Sequence, residues 1–232
     1  MTSGSSSYPV SPVRGLKSEL RRIAPPRWWR FLREVRSTAR LVKLRAVGRP
    51  AYVGETAKAH TRRLREGFFE KYCVGRGLDI GYGGDLLSKN CIGWDLEHGD
   101  AQLLDRIGDE SFDFVYSSHT LEHVADACEA LRNWFRVVKA GGHLILFVPD
   151  RDLYEKKLAL PSRWNPDHQR FFLLDRDEPP DTIGLLPLIE RVVPEAAVVS
   201  AHRCGDGCTL VDPMVHSDGE YSIEVLLRKP LQ

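Results

Sequence analysis

The chain has 232 residues, 42% of them apolar, which suits one ordinary core plus an extension. Its net charge of +1 hides two halves of opposite sign: residues 1–72 hold seventeen Lys and Arg against five acids, and residues 73–232 hold sixteen against twenty-seven. No apolar run reaches eighteen residues and no apolar core precedes Arg14, so neither a spanning helix nor a secretory leader is expected; five cysteines, an odd number without a disulfide pattern, fit a reduced, cytoplasmic chain.

Residues 1–13, uncharged and rich in Ser, Gly and Pro, predict a disordered tail, and residues 14–72 a basic helical extension. A short basic helix over 14–24 stops at Pro25-Pro26, and a second begins near Pro26. In that second helix Trp28, Leu32, Val35, Ala39 and Val42 recur at helical intervals, with Phe31 on the same stripe and six Arg and Lys filling much of the rest. Such a basic amphipathic helix packs on the domain or on a second copy, as in a homodimer, or makes peripheral contact with a membrane surface or an anionic substrate; no nucleic-acid partner is expected. After Gly48-Arg49-Pro50, residues 55–72 predict a further helix with Leu64, Phe68 and Tyr72 on one side, leading into a glycine turn and forming one wall of a ligand pocket.

The body, 73–232, opens with a strand over 76–81 that carries Asp79 near its end and runs into Gly81-Tyr82-Gly83-Gly84-Asp85. Glycine there admits positive φ and removes the side chain that would bar a ligand from the backbone. Residues 85–90 leave room for only one helical turn before a second strand, Cys91–Asp95, and residues 96–111 leave little room for another helix and strand. Phe112–Ser117 predicts the next strand. A helix comes after it, with Asp126 and Glu129 as a capping pair, a buried stripe of Val124, Cys128, Leu131, Phe135 and Val138, and a stop at Gly141-Gly142. His143–Val148 suits the middle of a parallel sheet. Residues 149–182, long and rich in Pro and aromatics, predict a lid or substrate wall, succeeded by a helix near 181–192, a strand near 196–202 and a final strand, Tyr221–Arg228. A nicotinamide dinucleotide site is disfavoured, because the turn lacks a full Gly-x-Gly-x-x-Gly and a long helix after it. His202, Cys204 and Cys208 do not have a common structural-zinc spacing.

Taken together, Leu78-Asp79-Ile80-Gly81-Tyr82-Gly83-Gly84, Trp94-Asp95, Gly99-Asp100-Ala101, Phe112–Ser117, His119-Thr120-Leu121-Glu122-His123 and Arg136–Gly142 resemble the class I S-adenosylmethionine-dependent methyltransferases, closely over residues 68–150. The resemblance implies an α/β, Rossmann-like three-layer sandwich whose mostly parallel, seven-stranded sheet has an antiparallel last strand. It implies S-adenosylmethionine as cofactor. Asp79 then accepts from the methionine amine side, backbone N–H groups around Gly81 and Gly83 meet the carboxylate, and both ribose hydroxyls donate to Asp95. Asp100 accepts from the adenine amino group, the Ala101 N–H reaches a ring nitrogen, and Ser117 faces the crevice beside the methionine. Asp85 departs from the family's third glycine.

The strand ending at Ser117 lacks the Pro-Pro-aromatic segment of amino-group methylation and a Pro-Cys nucleophile, and carries histidines instead. A hydroxyl acceptor needs a base, so His119 or His168 is the catalytic candidate, each balanced by a plain structural role; His123 reads as a helix-start residue. Tyr154, Trp164, Asp167 and Arg170 mix aromatic faces with polar tips, as walls for sugars and other polar ligands do. Leu153-Tyr154-Glu155 and Pro161–His168 resemble bacterial methyltransferases of glycan and polysaccharide synthesis. That likeness implies O-methylation of a hydroxyl of a sugar or oligosaccharide or glycan precursor; the alternatives are a methyltransferase for another small molecule or a lipid, and a cofactor-binding protein without turnover. It also admits Mg²⁺, for which Asp150, Asp152 and Asp167 are either ligands or solvated loop acids.

Overall fold

The computed structural model describes residues 58–231, so the expected tail and the basic helices over 14–24 and from Pro26 lie outside the described residues. Eight strands occur here: β1 (Gly77–Ile80), β2 (Cys91–Trp94), β3 (Phe112–Ser118), β4 (Val138–Pro149), β5 (Phe171–Leu173), β6 (Thr182–Gly184), β7 (Ala197–Cys204) and β8 (Ser222–Arg228). The main sheet has six strands in the order β2-β1-β3-β4-β8-β7, and β5 and β6 form a separate parallel pair. β2, β1, β3 and β4 run parallel, and β8 is antiparallel to both neighbours. This is the Rossmann-like α/β class expected from the sequence, with six strands rather than seven in the main sheet among the described residues. Residues 95–111 cross from β2 to β3 through turns alone, so the segment that would hold the extra strand is too short for one.

Alternating side chains divide the core in two. Leu78, Ile80, Val115, Leu144, Leu146, Val148, Val225 and Leu227 face α3 (Ala127–Arg136) and α4 (Leu185–Val192). Phe114, Tyr116, Ile145, Phe147 and Leu226 face α1 (His60–Arg65) and α2 (Phe68–Tyr72). The Asp126 carboxylate caps α3 by accepting from the Cys128 and Glu129 amides, at 2.8 and 3.0 Å. Ala130, Leu131 and Trp134 of α3 are fully buried, and each of the two large side chains contributes about 1.5–3 kcal/mol by leaving water.

Four local expectations shift. The predicted helix over 55–72 breaks at Gly67, where φ is +63°, and its Leu64 is exposed because the α1 face that turns inward carries Arg62 and Arg63. Helix α3 ends at Arg136, since Val138 already pairs with Phe112 and the Gly141-Gly142 pair falls within an irregular stretch of β4. The predicted helix over 181–192 begins only at Leu185, because residues 182–184 pair with β5. His123 starts no helix; it sits in a turn before the Asp126 cap.

An ion cluster holds α1 to the sheet. The Arg63 side chain donates to Glu224 (Nε to Oε2, 2.8 Å) and to the Tyr116 hydroxyl (3.1 Å), and Arg62 Nη1 reaches Glu224 Oε1 at 2.9 Å. Burial pushes the Glu224 carboxyl up, but Arg63 and Arg62 outweigh it and hold the group below the usual range. Among the described residues no helix is long and apolar enough to cross a membrane.

Candidate active site

Parallel strands β1, β2 and β3 end level with one another, because Ile80 pairs with both Trp94 and Ser117. The glycine turn after β1, Asp95 after β2 and His119 after β3 therefore gather at one edge of the sheet. Open α/β sheets bind ligands at this carboxyl edge. A groove of about 320 Å³ lined by Lys71, Tyr72, Asp113, Lys139, His143 and Arg228 lies at the opposite, amino edge.

Only glycine fits at 81. Its φ is +73°, and a Cβ there would land on the Thr120 hydroxyl, which donates to the Ile80 and Ser118 carbonyls. The Gly81 amide itself donates to the Trp94 carbonyl at 2.7 Å, so it belongs to the sheet and does not meet a carboxylate as expected. Gly83 and Gly84 remain. Both are exposed with positive φ; a Cβ on Gly84 would meet nothing within 4 Å, and one on Gly83 only the Gly81 carbonyl oxygen, at 3.9 Å. That open floor is where a ligand can approach the backbone.

Asp79 is buried at the end of β1. The Leu87 amide donates to its Oδ2 at 2.7 Å, and its Oδ1 has no hydrogen-bond partner among the described residues. Burial pushes its pKa up to about 7, against the opposing pull of the Leu87 amide. The buried Ser117 Oγ is likewise without a partner among the described residues. An orphaned carboxylate oxygen and an open glycine floor fit a ligand bearing an amine and a carboxylate.

Asp95 is half-buried and closes a turn: its Oδ1 accepts from the Leu96 amide at 2.8 Å, and its amide donates to His98 Nδ1 at 3.1 Å. Asp100 is exposed and accepts from the Gln102 amide at 2.7 Å. The loop is pinned to α3, since Trp134 Nε1 donates to the Ala101 carbonyl at 2.7 Å and Asn133 Nδ2 to the Gln102 carbonyl at 3.0 Å. Asp100 and Ala101 thus sit on a backbone fixed before any ligand arrives.

His119 has φ +51° and donates its amide to the Phe147 carbonyl at 2.8 Å, which turns its ring toward Phe147, Tyr154 and Tyr221. Its Nε2 lies 2.8 Å from the Ser222 hydroxyl and its Nδ1 3.8 Å from Glu122 Oε1. His168, from the insertion, is buried; its Nδ1 donates to Glu155 at 2.7 Å and its ring stacks on Tyr154. The structure therefore brings both expected histidines to one place. The Trp164 indole donates to the Tyr154 carbonyl at 2.8 Å, tying the insertion to the same cluster, while Asp167 is exposed.

Other expected roles fall away. Arg170 is buried with its guanidinium donating to the carbonyls of Leu121, Val124 and Ala125, so it braces the turn after β3 instead of facing a substrate. Asp150 is engaged by Arg203 at 2.7 and 2.8 Å and caps the π-turn Arg151–Glu155, and Asp152 pairs with Arg151 at 3.0 Å. With Asp167 exposed, these three acids form no common metal centre. Glu122 and Glu155, both fully buried acids, were not singled out from the sequence. The signal for Glu122 was an acid next to Leu121 in a segment where both flanking histidines converge.

A search of curated proteins gives no match. Solved structures similar to this chain include the YcgJ protein of Bacillus subtilis, at 16% identity over 75% of this chain and 99% of that one, with a TM-score of 0.47. A SAM-dependent methyltransferase from Archaeoglobus fulgidus is similar at 16% identity over 74% and 92%, with a TM-score of 0.47. Residues 77–146, which span the strand-end turn, the β2 acid, the histidine segment and α3, match the family model described as a methyltransferase domain.

Proposed function

We propose that the chain methylates a hydroxyl of a sugar or glycan precursor, with S-adenosylmethionine as donor. Asp79 Oδ1 takes the methionine amine side, the backbone at Gly83 and Gly84 the carboxylate, Asp95 the ribose hydroxyls, and Asp100 with the Ala101 amide the adenine. When bound, the sulfonium supplies an electrophilic methyl group: the acceptor oxygen bonds to the methyl carbon as the carbon–sulfur bond breaks, leaving S-adenosylhomocysteine. His119 receives the acceptor proton. It comes directly after β3 and is partly open, whereas His168 is buried with Nδ1 committed to Glu155. Tyr154 and Trp164 form an aromatic wall, and rigid seating of oxygen, methyl and sulfur in line carries much of the acceleration.

The observation that carries this reading is the convergence of His119 with Tyr154 and Tyr221 after β3, together with the orphaned Asp79 oxygen in the neighbouring strand β1. The chain should release S-adenosylhomocysteine from S-adenosylmethionine in the presence of a hydroxylated sugar acceptor. Turnover only with amines or thiols would refute O-methylation, and cofactor binding with no turnover on any acceptor would refute the enzyme reading.

A further inference from the structure

Three nitrogen and oxygen donors, from Glu122, His123 and His168, converge in the turn after β3, with His119 beside Glu122. Glu122 Oε1 lies 3.7 Å from His123 Nε2, 3.9 Å from His168 Nε2 and 3.8 Å from His119 Nδ1. These gaps are longer than hydrogen bonds. They suit donors spaced around a shared ion, since metal–ligand bonds of about 2.1 Å place tetrahedral donors roughly 3.4 Å apart. The ligand atoms of Glu122, His123 and His168 all lie within 4.8 Å of one another.

Each imidazole is also held from behind. Glu155 accepts the His168 Nδ1–H at 2.7 Å, and the Ser162 hydroxyl donates to Glu155 at 2.7 Å. The His123 Nδ1–H donates to the Asp167 carbonyl at 3.3 Å. Both bonds leave an Nε2 lone pair within 4 Å of Glu122 Oε1, the tautomer found in metal-bound histidine. The Asn165 amide stands 3.5 Å from His123 Nε2, at the limit of a hydrogen bond, and is the group an ion would displace. Arg170 directs its guanidinium to the carbonyls of Leu121, Val124 and Ala125. A second grouping, His202, Cys204 and Glu224, encloses the Arg62 guanidinium, which already supplies the positive charge there.

We propose that Glu122, His123 and His168 form a site for a first-row transition-metal dication, with His119 on its rim. Two imidazoles and one carboxylate favour Zn²⁺, Mn²⁺, Fe²⁺ or Co²⁺ over Mg²⁺, which prefers oxygen ligands and bound water. Three protein ligands leave coordination positions for an acceptor oxygen, whose hydroxyl such an ion would acidify before His119 takes the proton. That catalytic use rests on the O-methyltransferase reading; the binding of metal does not.

The test is a titration of the full chain, stripped with a chelator, with Co²⁺ followed by visible absorption and with Zn²⁺ followed by calorimetry. One tightly bound ion per chain is expected, with weaker binding by at least about tenfold in His168→Ala, His123→Ala and Glu155→Gln. His202→Ala should bind as the wild type does. Absence of stoichiometric binding by the wild type overturns the proposal, as does unchanged affinity in both His168→Ala and His123→Ala. His123 is partly exposed, so its variant remains informative if the buried substitutions fail to fold. S-adenosylhomocysteine binding, measured on the same preparations, separates the two readings: cofactor binding without metal defeats the site alone, and metal binding without cofactor defeats the methyltransferase reading alone.

Discussion

The Leu87 amide holds one oxygen of Asp79 at 2.7 Å, while the other oxygen, buried at the end of β1, meets no partner among the described residues. A ligand amine at that oxygen would require the ionised carboxylate, and burial places the titration near pH 7. Affinity for S-adenosylhomocysteine should therefore fall as pH drops below about 7, by up to roughly tenfold per pH unit. Calorimetry between pH 5.5 and 8 reads this directly, and Asp79→Asn should bind weakly with a flat profile. A wild-type affinity independent of pH would remove Asp79 from the site.

The same burial opposes folding. With the folded pKa above the unfolded one, the Asp79 contribution is fully present below about pH 4 and is lost as pH rises toward 7, a cost of about 4 kcal/mol at most. Asp79→Asn should be more stable than the wild type to urea at pH 8 and no more stable at pH 4. Equal destabilisation at both values would mean that the side chain is structural and neutral.

Asp95 carries the ribose assignment. Two charge-assisted hydrogen bonds contribute about 1.5–3 kcal/mol each, so Asp95→Ala should weaken S-adenosylhomocysteine binding by about 100-fold or more. Because the residue is half-buried in a turn, the fold should persist, as circular dichroism can verify. Unchanged affinity would place the ribose elsewhere.

His119→Ala should lower kcat by about 100-fold or more, the usual contribution of a general base, while leaving cofactor affinity intact. A parallel loss of cofactor binding would show that the ring shapes the pocket and does not move a proton.

Glu224 pairs with two arginines at once. Glu224→Gln leaves Arg62 and Arg63 under-compensated beneath α1 and should cost about 3–5 kcal/mol in urea unfolding. A loss below about 1 kcal/mol would mean that water or Glu220, 3.1 Å from Arg62, replaces it.

Much of this arrangement was legible in the chain. Leu78–Gly84 marked the end of β1, Asp126 marked the α3 cap, and the shortness of 96–111 already spoke against another helix and strand. The features that stayed hidden depended on contacts across long sequence separations. That the Gly81 amide is taken by Trp94 follows only from the β1–β2 register. The bracing role of Arg170 follows from three carbonyls some forty-five residues upstream. His168 looked like a lone base because its partner, Glu155, gains meaning only when the π-turn brings the two together. Helix α1 misled for a related reason: Arg62 and Arg63 face inward, which helical periodicity assigns to apolar side chains, and only Glu220 and Glu224 explain it.

The place of β8 bears on how the molecule is made. It lies between β4 and β7, inside the sheet, although it is the latest strand in chain order. During synthesis the nascent chain can pair β1, β2, β3 and β4, but β7 has no neighbour until residues 222–228 leave the ribosome. Until then the edge of β4 stands open, and Glu224 has not arrived to meet Arg62 and Arg63. The domain thus closes only once β8 has been made, and a stop codon shortly before Ser222 would remove an interior strand along with the counter-charge of helix α1.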